Sequence, residues 1–253
     1  MSSVDVPLRN GGFGGTTRHD AWWVEPLLVF LGFSTFIVYS TWAALQGNHY
    51  TYGPYLSPFY SPLLMTEKPA WWPALVPFSA AMLILWAPGG FRLTCYYYRG
   101  AYYKAFWADP PSCTVGEPRK KYLGERYFPL ILQNVHRYFL YLALVFVVIL
   151  LHDAYKAMWF DGHFGIRVGT LVLMVNPILL GGYTLGCHSL RHLTGGRLDE
   201  MSKSPLRKTT YDCVSCLNRA HMRWAWFSLF CVGFADLYVR MCSMGIWTDW
   251  RIL

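Results

Sequence analysis

Five long apolar runs leave this chain few ways to fold. They occupy residues 22–45, 70–87, 128–151, 164–186 and 224–244. Each is close to the roughly 20 residues that a helix needs to cross a hydrocarbon core about 30 Å thick. The stretch 142–151 contains no polar side chain at all. The second run is the weakest, because Pro73 and Pro77 lie inside it and Pro88 follows at once; membrane helices accept proline where neighbours satisfy the freed carbonyls. Only 14% of the residues are charged, against about 25% in a soluble domain. The pattern predicts an all-α integral membrane protein, a five-transmembrane-helix bundle over residues 22–253, with a short polar segment, 1–21, before it. The opening residues are polar and glycine-rich and the first run exceeds a signal core, so no cleavable signal peptide is expected. No internal repeat, heptad or low-complexity tract suggests a further domain.

Basic residues orient the bundle. Arg99, Lys104, Arg119, Lys120, Lys121 and Arg126 fall in the connection near 96–127, and Arg191, Arg197, Lys203, Arg207 and Lys208 in or beside the one near 193–215. The other two connections carry Lys68 and Lys156. The positive-inside rule then predicts that both basic loops and the N-terminus are cytoplasmic and the C-terminus is outside. The formal charge of +8 is concentrated on one face, which suits lipid headgroups or an acidic soluble partner. Nucleic acid is not an expected partner, since no soluble domain remains to bind it. Trp22, Trp23, Trp71, Trp72, Trp247 and Trp250 sit at run ends, as interfacial belts do. Tyr96, Tyr97, Tyr98, Tyr102 and Tyr103 extend a helical pattern beyond the second run, at headgroup level or under another protein of an assembly.

The chemistry is concentrated in two short stretches, Cys187-His188-Ser189-Leu190-Arg191-His192 and Cys213-Val214-Ser215-Cys216-Leu217-Asn218-Arg219-Ala220-His221. His188 and His192, four apart, project from one side of a helix. Cys213 and Cys216 have the Cys-x-x-Cys chelate spacing. A second pairing, Cys187 with His192 and Cys216 with His221, repeats a cysteine, four residues and a histidine. Both stretches fall at the cytoplasmic ends of the fourth and fifth runs, where a short loop closes them into an antiparallel pair. Taken singly these are ordinary thiols and capping histidines; six in two adjoining clusters predict a metal site.

Three occupants match that inventory. Zinc accepts two cysteines and two histidines, although five packed helices do not need it to fold. Haem b would take one histidine from each of two helices, with His136 a candidate, but would leave the cysteines without a role. A Rieske-type [2Fe–2S] centre uses two cysteines on one iron and two histidines on the other; the soluble Rieske pattern of Cys-x-His with a later Cys-x-x-His is absent. Cys95 and Cys113 are alternates, while Cys231 and Cys242 read as packing residues.

Several unusual strings carry a resemblance. They are Thr94-Cys95-Tyr96-Tyr97-Tyr98-Arg99, Phe106-Trp107-Ala108-Asp109-Pro110-Pro111-Ser112-Cys113, Gln133-Asn134-Val135-His136-Arg137-Tyr138 and the Gly186 to His192 stretch. Asp236-Leu237-Tyr238-Val239-Arg240 and Gly245-Ile246-Trp247-Thr248-Asp249 complete the set. Through them most of the chain resembles the cytochrome b-like membrane anchors of actinobacterial succinate dehydrogenases, respiratory complex II. The resemblance implies a multi-pass plasma-membrane protein, not catalytic alone. A flavoprotein and an iron–sulfur protein would supply it with electrons for a membrane quinone. Many such anchors carry haem b between interior histidines. Here histidines gather beside cysteines at one face, which favours the iron–sulfur occupant.

His136 and Arg137 enter the third run at the level of the cluster and are the expected quinone-binding residues, since either can hydrogen-bond a quinone oxygen. Asp236 and Arg240, four apart near the far end of the fifth run, are expected to form a structural ion pair. A transporter would place broken helices at the midplane. Asn176-Pro177 is the one such feature, and it reads more simply as a kink. A zinc-binding membrane scaffold without redox activity is the remaining alternative.

Overall fold

The computed structural model describes residues 12–119, 127–128, 130–196 and 199–253. Lys120, Lys121, Arg126 and Arg197, four of the charges used to orient the chain, lie outside the described residues. Within them the helices are α1 (Val24–Gln46), α2 (Trp86–Leu93), α3 (Tyr96–Tyr102), α4 (His136–Lys156), α5 (Val168–Leu185), α6 (His188–Gly195), α7 (Pro205–Arg219) and α8 (His221–Ser243). Two small antiparallel hairpins join them, β1 (Thr51–Tyr52) with β2 (Tyr55–Leu56) and β3 (Trp159–Phe160) with β4 (His163–Phe164). The chain forms two compact units, Met1–Thr35 with Leu93–Asn134 and Phe36–Arg92 with Val135–Leu253.

Among the described residues, four helical stretches are long and apolar enough to cross a bilayer: α1, Ile131–Lys156, α5 and α8. Large apolar side chains such as Leu28, Val38, Val148 and Phe227 point outward from them, as lipid-facing residues must. Inside the larger unit, glycines let neighbours approach α5. A Cβ on Gly182 would stand 2.6 Å from the Trp224 ring, and one on Gly169 would stand 2.4 Å from the Tyr55 ring. Small residues at helix contacts are how membrane helices gain close packing when lipid is as apolar as the partner. Pro177 lies inside α5 and cannot donate to the carbonyl one turn earlier.

The expected span at 70–87 is not a continuous helix. Pro69, Pro73 and Pro77 keep the chain in turns, and regular structure begins only with a 3₁₀ turn at Ala80–Leu83, followed by α2. The chain nevertheless crosses the larger unit here. Ser79 Oγ donates to the Tyr60 hydroxyl at 3.3 Å, and Tyr60 donates to the Ala43 carbonyl at 2.9 Å, near the end of α1. Thirteen residues on, Arg92 bonds the Ala225 carbonyl near the start of α8. One broken segment thus stands where the sequence predicts the second of five helices.

The end of the larger unit that holds the β1–β2 hairpin is locked by buried carboxylates. Asp236 accepts from Ser57 and from the Tyr39 hydroxyl at 2.6 Å, and pairs with Arg240 Nε at 3.5 Å. Arg240, itself fully buried, also donates to the carbonyls of Asn48 at 3.1 Å and Ala43 at 3.3 Å. Asp249 accepts from Tyr55 and Tyr238, each at 2.8 Å, and from the Gly169 amide at 2.9 Å. Asp153 accepts from Ser61. The Asp236–Arg240 pair expected from the sequence is therefore formed, inside a network that ties α1, the hairpin and α8 together.

In the smaller unit the first half of α1 packs Phe33 against Tyr98 of α3, centroids 5.3 Å apart, and Phe30 against Phe106 at 4.8 Å. Arg18 holds the loop beyond by donating to Ser112 Oγ at 2.8 Å and the Cys113 carbonyl at 3.0 Å. Hydrogen bonding to Arg18 lowers the Asp20 carboxyl below its ordinary range.

Candidate functional site

The functional candidates of the larger unit meet at its other end, where α4 begins, α5 stops and α8 begins. Gly186 ends α5, and Cys187 then N-caps α6, its sulfur accepting from the Ser189 amide at 3.4 Å. This turn drives the Cys187 side chain inward, where only 2% of the residue stays exposed. His136, the first residue of α4, is 9% exposed, and its Nε2 lies 3.1 Å from Cys187 Sγ. His221 opens α8, within electrostatic reach of both His136 and His188.

Two aromatic rings back the imidazoles. Phe91 of α2 stacks on His136, with centroids 4.7 Å apart and planes 7° from parallel. Tyr183 of α5 stacks on His221 at 5.0 Å and 21°. Phe91 and Tyr183 meet each other edge to face at 5.3 Å. The result is a ladder of four rings from four helices. Beside it the Arg92 guanidinium lies 4.8 Å from the Tyr183 ring centre and donates to the Ala225 carbonyl at 3.2 Å and Ser228 Oγ at 3.0 Å.

This arrangement divides the six residues chosen from the sequence. Cys187 and His221 belong to the ladder end. His188 and His192 of α6, and Cys213 and Cys216 of α7, are exposed. The amphipathic α6 and α7 lie between α5 and α8 and turn those side chains outward, so the connection does not close the two stretches onto one point. Among the described residues, no three His, Cys, Asp or Glu side chains gather tightly enough to hold a metal ion. Of the alternates, Cys95 is buried at the N-cap of α3, in the smaller unit, and Cys113 is exposed. Cys231 and Cys242 lie along α8, Cys242 buried near its far end. The pair expected to meet quinone is also divided. His136 faces Cys187, whereas Arg137 is exposed, its Nη2 3.4 Å from His192 Nδ1.

Sequence reasoning placed His136 at this level but missed its thiol partner. It gave no sign of Phe91 or Tyr183, which carry no reactive group. Arg92, a guanidinium just past an apolar run, does carry a signal in the sequence.

Long apolar helices enclosing a buried thiol–imidazole contact define a multi-pass membrane protein with sulfur and nitrogen donors at one end. The chain belongs to the actinobacterial succinate dehydrogenase subunit SdhC family, whose profile matches residues 24–245. It is similar to a chain of the Mycobacterium smegmatis Sdh1 complex in the apo form, with 42% identity, a TM-score of 0.85 and 94% of each chain covered. A comparison with curated proteins finds no match. The protein is thus a membrane subunit of a succinate dehydrogenase complex, with several apolar helices in the plasma membrane.

Proposed function

We propose that this subunit anchors a succinate dehydrogenase flavoprotein and iron–sulfur protein to the cytoplasmic face and delivers their electrons to membrane quinone. The orientation rests on Arg191, Lys203, Arg207 and Lys208, which put the ladder end on the cytoplasmic side by the positive-inside rule. The basic face is where an acidic docking surface of the iron–sulfur partner would bind. On its own the anchor catalyses nothing.

The observation that carries the reading is the 3.1 Å approach of His136 Nε2 to Cys187 Sγ, almost wholly out of water, with His221 in reach. Buried thiols and neutral imidazoles are donors for soft or borderline metals. They suit the mixed donor set of a Rieske-type [2Fe–2S] centre, with His136 and His221 as the nitrogen ligands and Cys187 as one thiolate. Such a centre supplies one-electron transfer at a potential raised by its neutral ligands. The chain's own part is to exclude water, through burial of Cys187 and His136, and to fix both imidazole planes against Phe91 and Tyr183. Haem b, held by two histidines, would leave the buried Cys187 without a role.

Iron and acid-labile sulfide content, with paramagnetic resonance of the dithionite-reduced complex, tests the proposal. A [2Fe–2S] signal beyond those of the iron–sulfur partner is expected. A complex that reduces quinone with no such additional signal would refute the centre.

A further inference from the structure

Near the middle of α5 stands a polar side chain that the fold does not use. Asn176 is fully buried, and neither its Oδ1 nor its Nδ2 meets a hydrogen-bond partner among the described residues. It lies on the seam with α8. A Cβ on Gly169 would stand 2.9 Å from the Tyr238 ring of α8. Asn176, seven residues further on, faces the same way, because seven residues bring a helix almost back to its starting direction.

The next residue is Pro177, which has no amide hydrogen to give the Leu173 carbonyl. Helical side chains lean toward the N-terminus while carbonyls point toward the C-terminus. The Asn176 amide and the Leu173 carbonyl are therefore brought to one level of the helix. Leu173 is itself only 5% exposed. A donor and two acceptors thus gather midway along a membrane-spanning helix, where leaving such groups unpaired is costly.

We propose that this place is a binding site for an internal water molecule, which closes the break that Pro177 makes in α5. The water accepts from Asn176 Nδ2 and donates its two hydrogens to Asn176 Oδ1 and the Leu173 carbonyl. Buried waters ordinarily make about three such bonds. Other occupants suit the donor set less well. A cation is repelled by the Nδ2 hydrogens, and hard cations surround themselves with about six oxygens or more. A larger ligand would need exposed surface that Asn176 lacks. The half of α5 beyond Pro177 carries Tyr183 and runs into the turn that presents Cys187, so the water sits at the base of the half-helix that positions both. The site stands independently of the electron route proposed above.

The test is hydroxyl-radical labelling of the whole complex in lipid nanodiscs, with the radicals generated by brief X-ray exposure. Radicals made in this way oxidise a buried side chain where a water lies against it. Leu173 is expected to label roughly fivefold faster than Leu140 of α4 and Leu229 of α8, which are comparably buried leucines. Asn176→Leu, a change of little volume, should bring Leu173 down to the rate of those two. Thermal unfolding supplies a second measurement. Pro177→Ala restores the amide that closes on Leu173, so the water loses one acceptor. Asn176→Leu should then lower the midpoint by roughly half as much in the Pro177→Ala background as in the wild type, where it leaves the Leu173 carbonyl bare. Wild-type Leu173 labelling no faster than Leu140 and Leu229, labelling unchanged by Asn176→Leu, or equal midpoint shifts in the two backgrounds would each overturn the proposal.

Discussion

At the hairpin end of the larger unit, buried polarity is carboxylate, hydroxyl and guanidinium. Asp236 and Asp249 each meet three donors from elsewhere in the chain. At the ladder end it includes thiol and imidazole, and His136 Nε2 lies 3.1 Å from Cys187 Sγ. Carboxylates saturated by the protein's own donors tie segments together and offer little to a ligand. On the function proposed above, sulfur and nitrogen donors facing each other behind stacked rings hold a group in common. Burial is similar at both ends, so burial alone does not separate a brace from a site; the identity of the partners does.

The largest expected effect tests the ladder end. Cys187→Ala or His221→Ala should reduce quinone reduction to background while dye-linked succinate oxidation continues. The exposed His192→Ala should retain both activities. Equal loss from His192→Ala would mean that exposure is the wrong guide to the ligands and that the comparison between the two ends fails.

The hairpin end should respond in stability rather than in electron transfer. Asp236→Ala strands the fully buried Arg240 guanidinium, and removing one partner of a buried pair costs about 3–5 kcal/mol. Thermal unfolding in detergent would register this as a large fall in midpoint. An unchanged midpoint would show that the network does not brace this end. Tyr55→Phe removes a smaller part, the hydroxyl that donates to Asp249 at 2.8 Å, and about 1–3 kcal/mol is expected from an unsatisfied buried acceptor. Quinone KM should stay at the wild-type value in the Tyr55 variant.

The smallest effect belongs to the other unit. Burial, first of all, pushes the Tyr102 phenol up to about 12. Its folded form therefore holds the proton more tightly than the unfolded chain. The associated stability is complete below pH 10 and declines as pH rises from about 10 to about 12. Tyr102→Phe should flatten that decline in a thermal series at alkaline pH. A profile identical to wild type would show that the shift is not felt in stability.

The sequence made the long spans legible because membrane helices announce themselves by length and composition alone. It made the Asp236–Arg240 pair legible because four residues is one helical turn. The second span misled, since its composition suits the bilayer but Pro73 and Pro77 deny it continuous hydrogen bonds. The candidate site was half legible. Local spacing pointed to Cys187 and His221, but it also selected His188, His192, Cys213 and Cys216, whose side chains the amphipathic α6 and α7 turn outward. The contact of His136 with Cys187 links positions 51 residues apart, which no local pattern reports. Phe91 and Tyr183 escape for another reason: their role is set by the planes of neighbouring rings, which composition does not encode.

The broken crossing at 79–92 also has a consequence for biosynthesis. Translocation machinery that partitions one segment at a time recognises helices by length and continuous hydrophobicity, and this stretch has neither. It lacks an insertion signal of its own and is expected to enter the bilayer together with its neighbours, as α1 and α4 close around it. Phe91 of α2 stacks on His136, so the ring ladder would be completed only at that late stage. An assembly intermediate that is membrane-integrated and correctly oriented would then still lack the complete ladder.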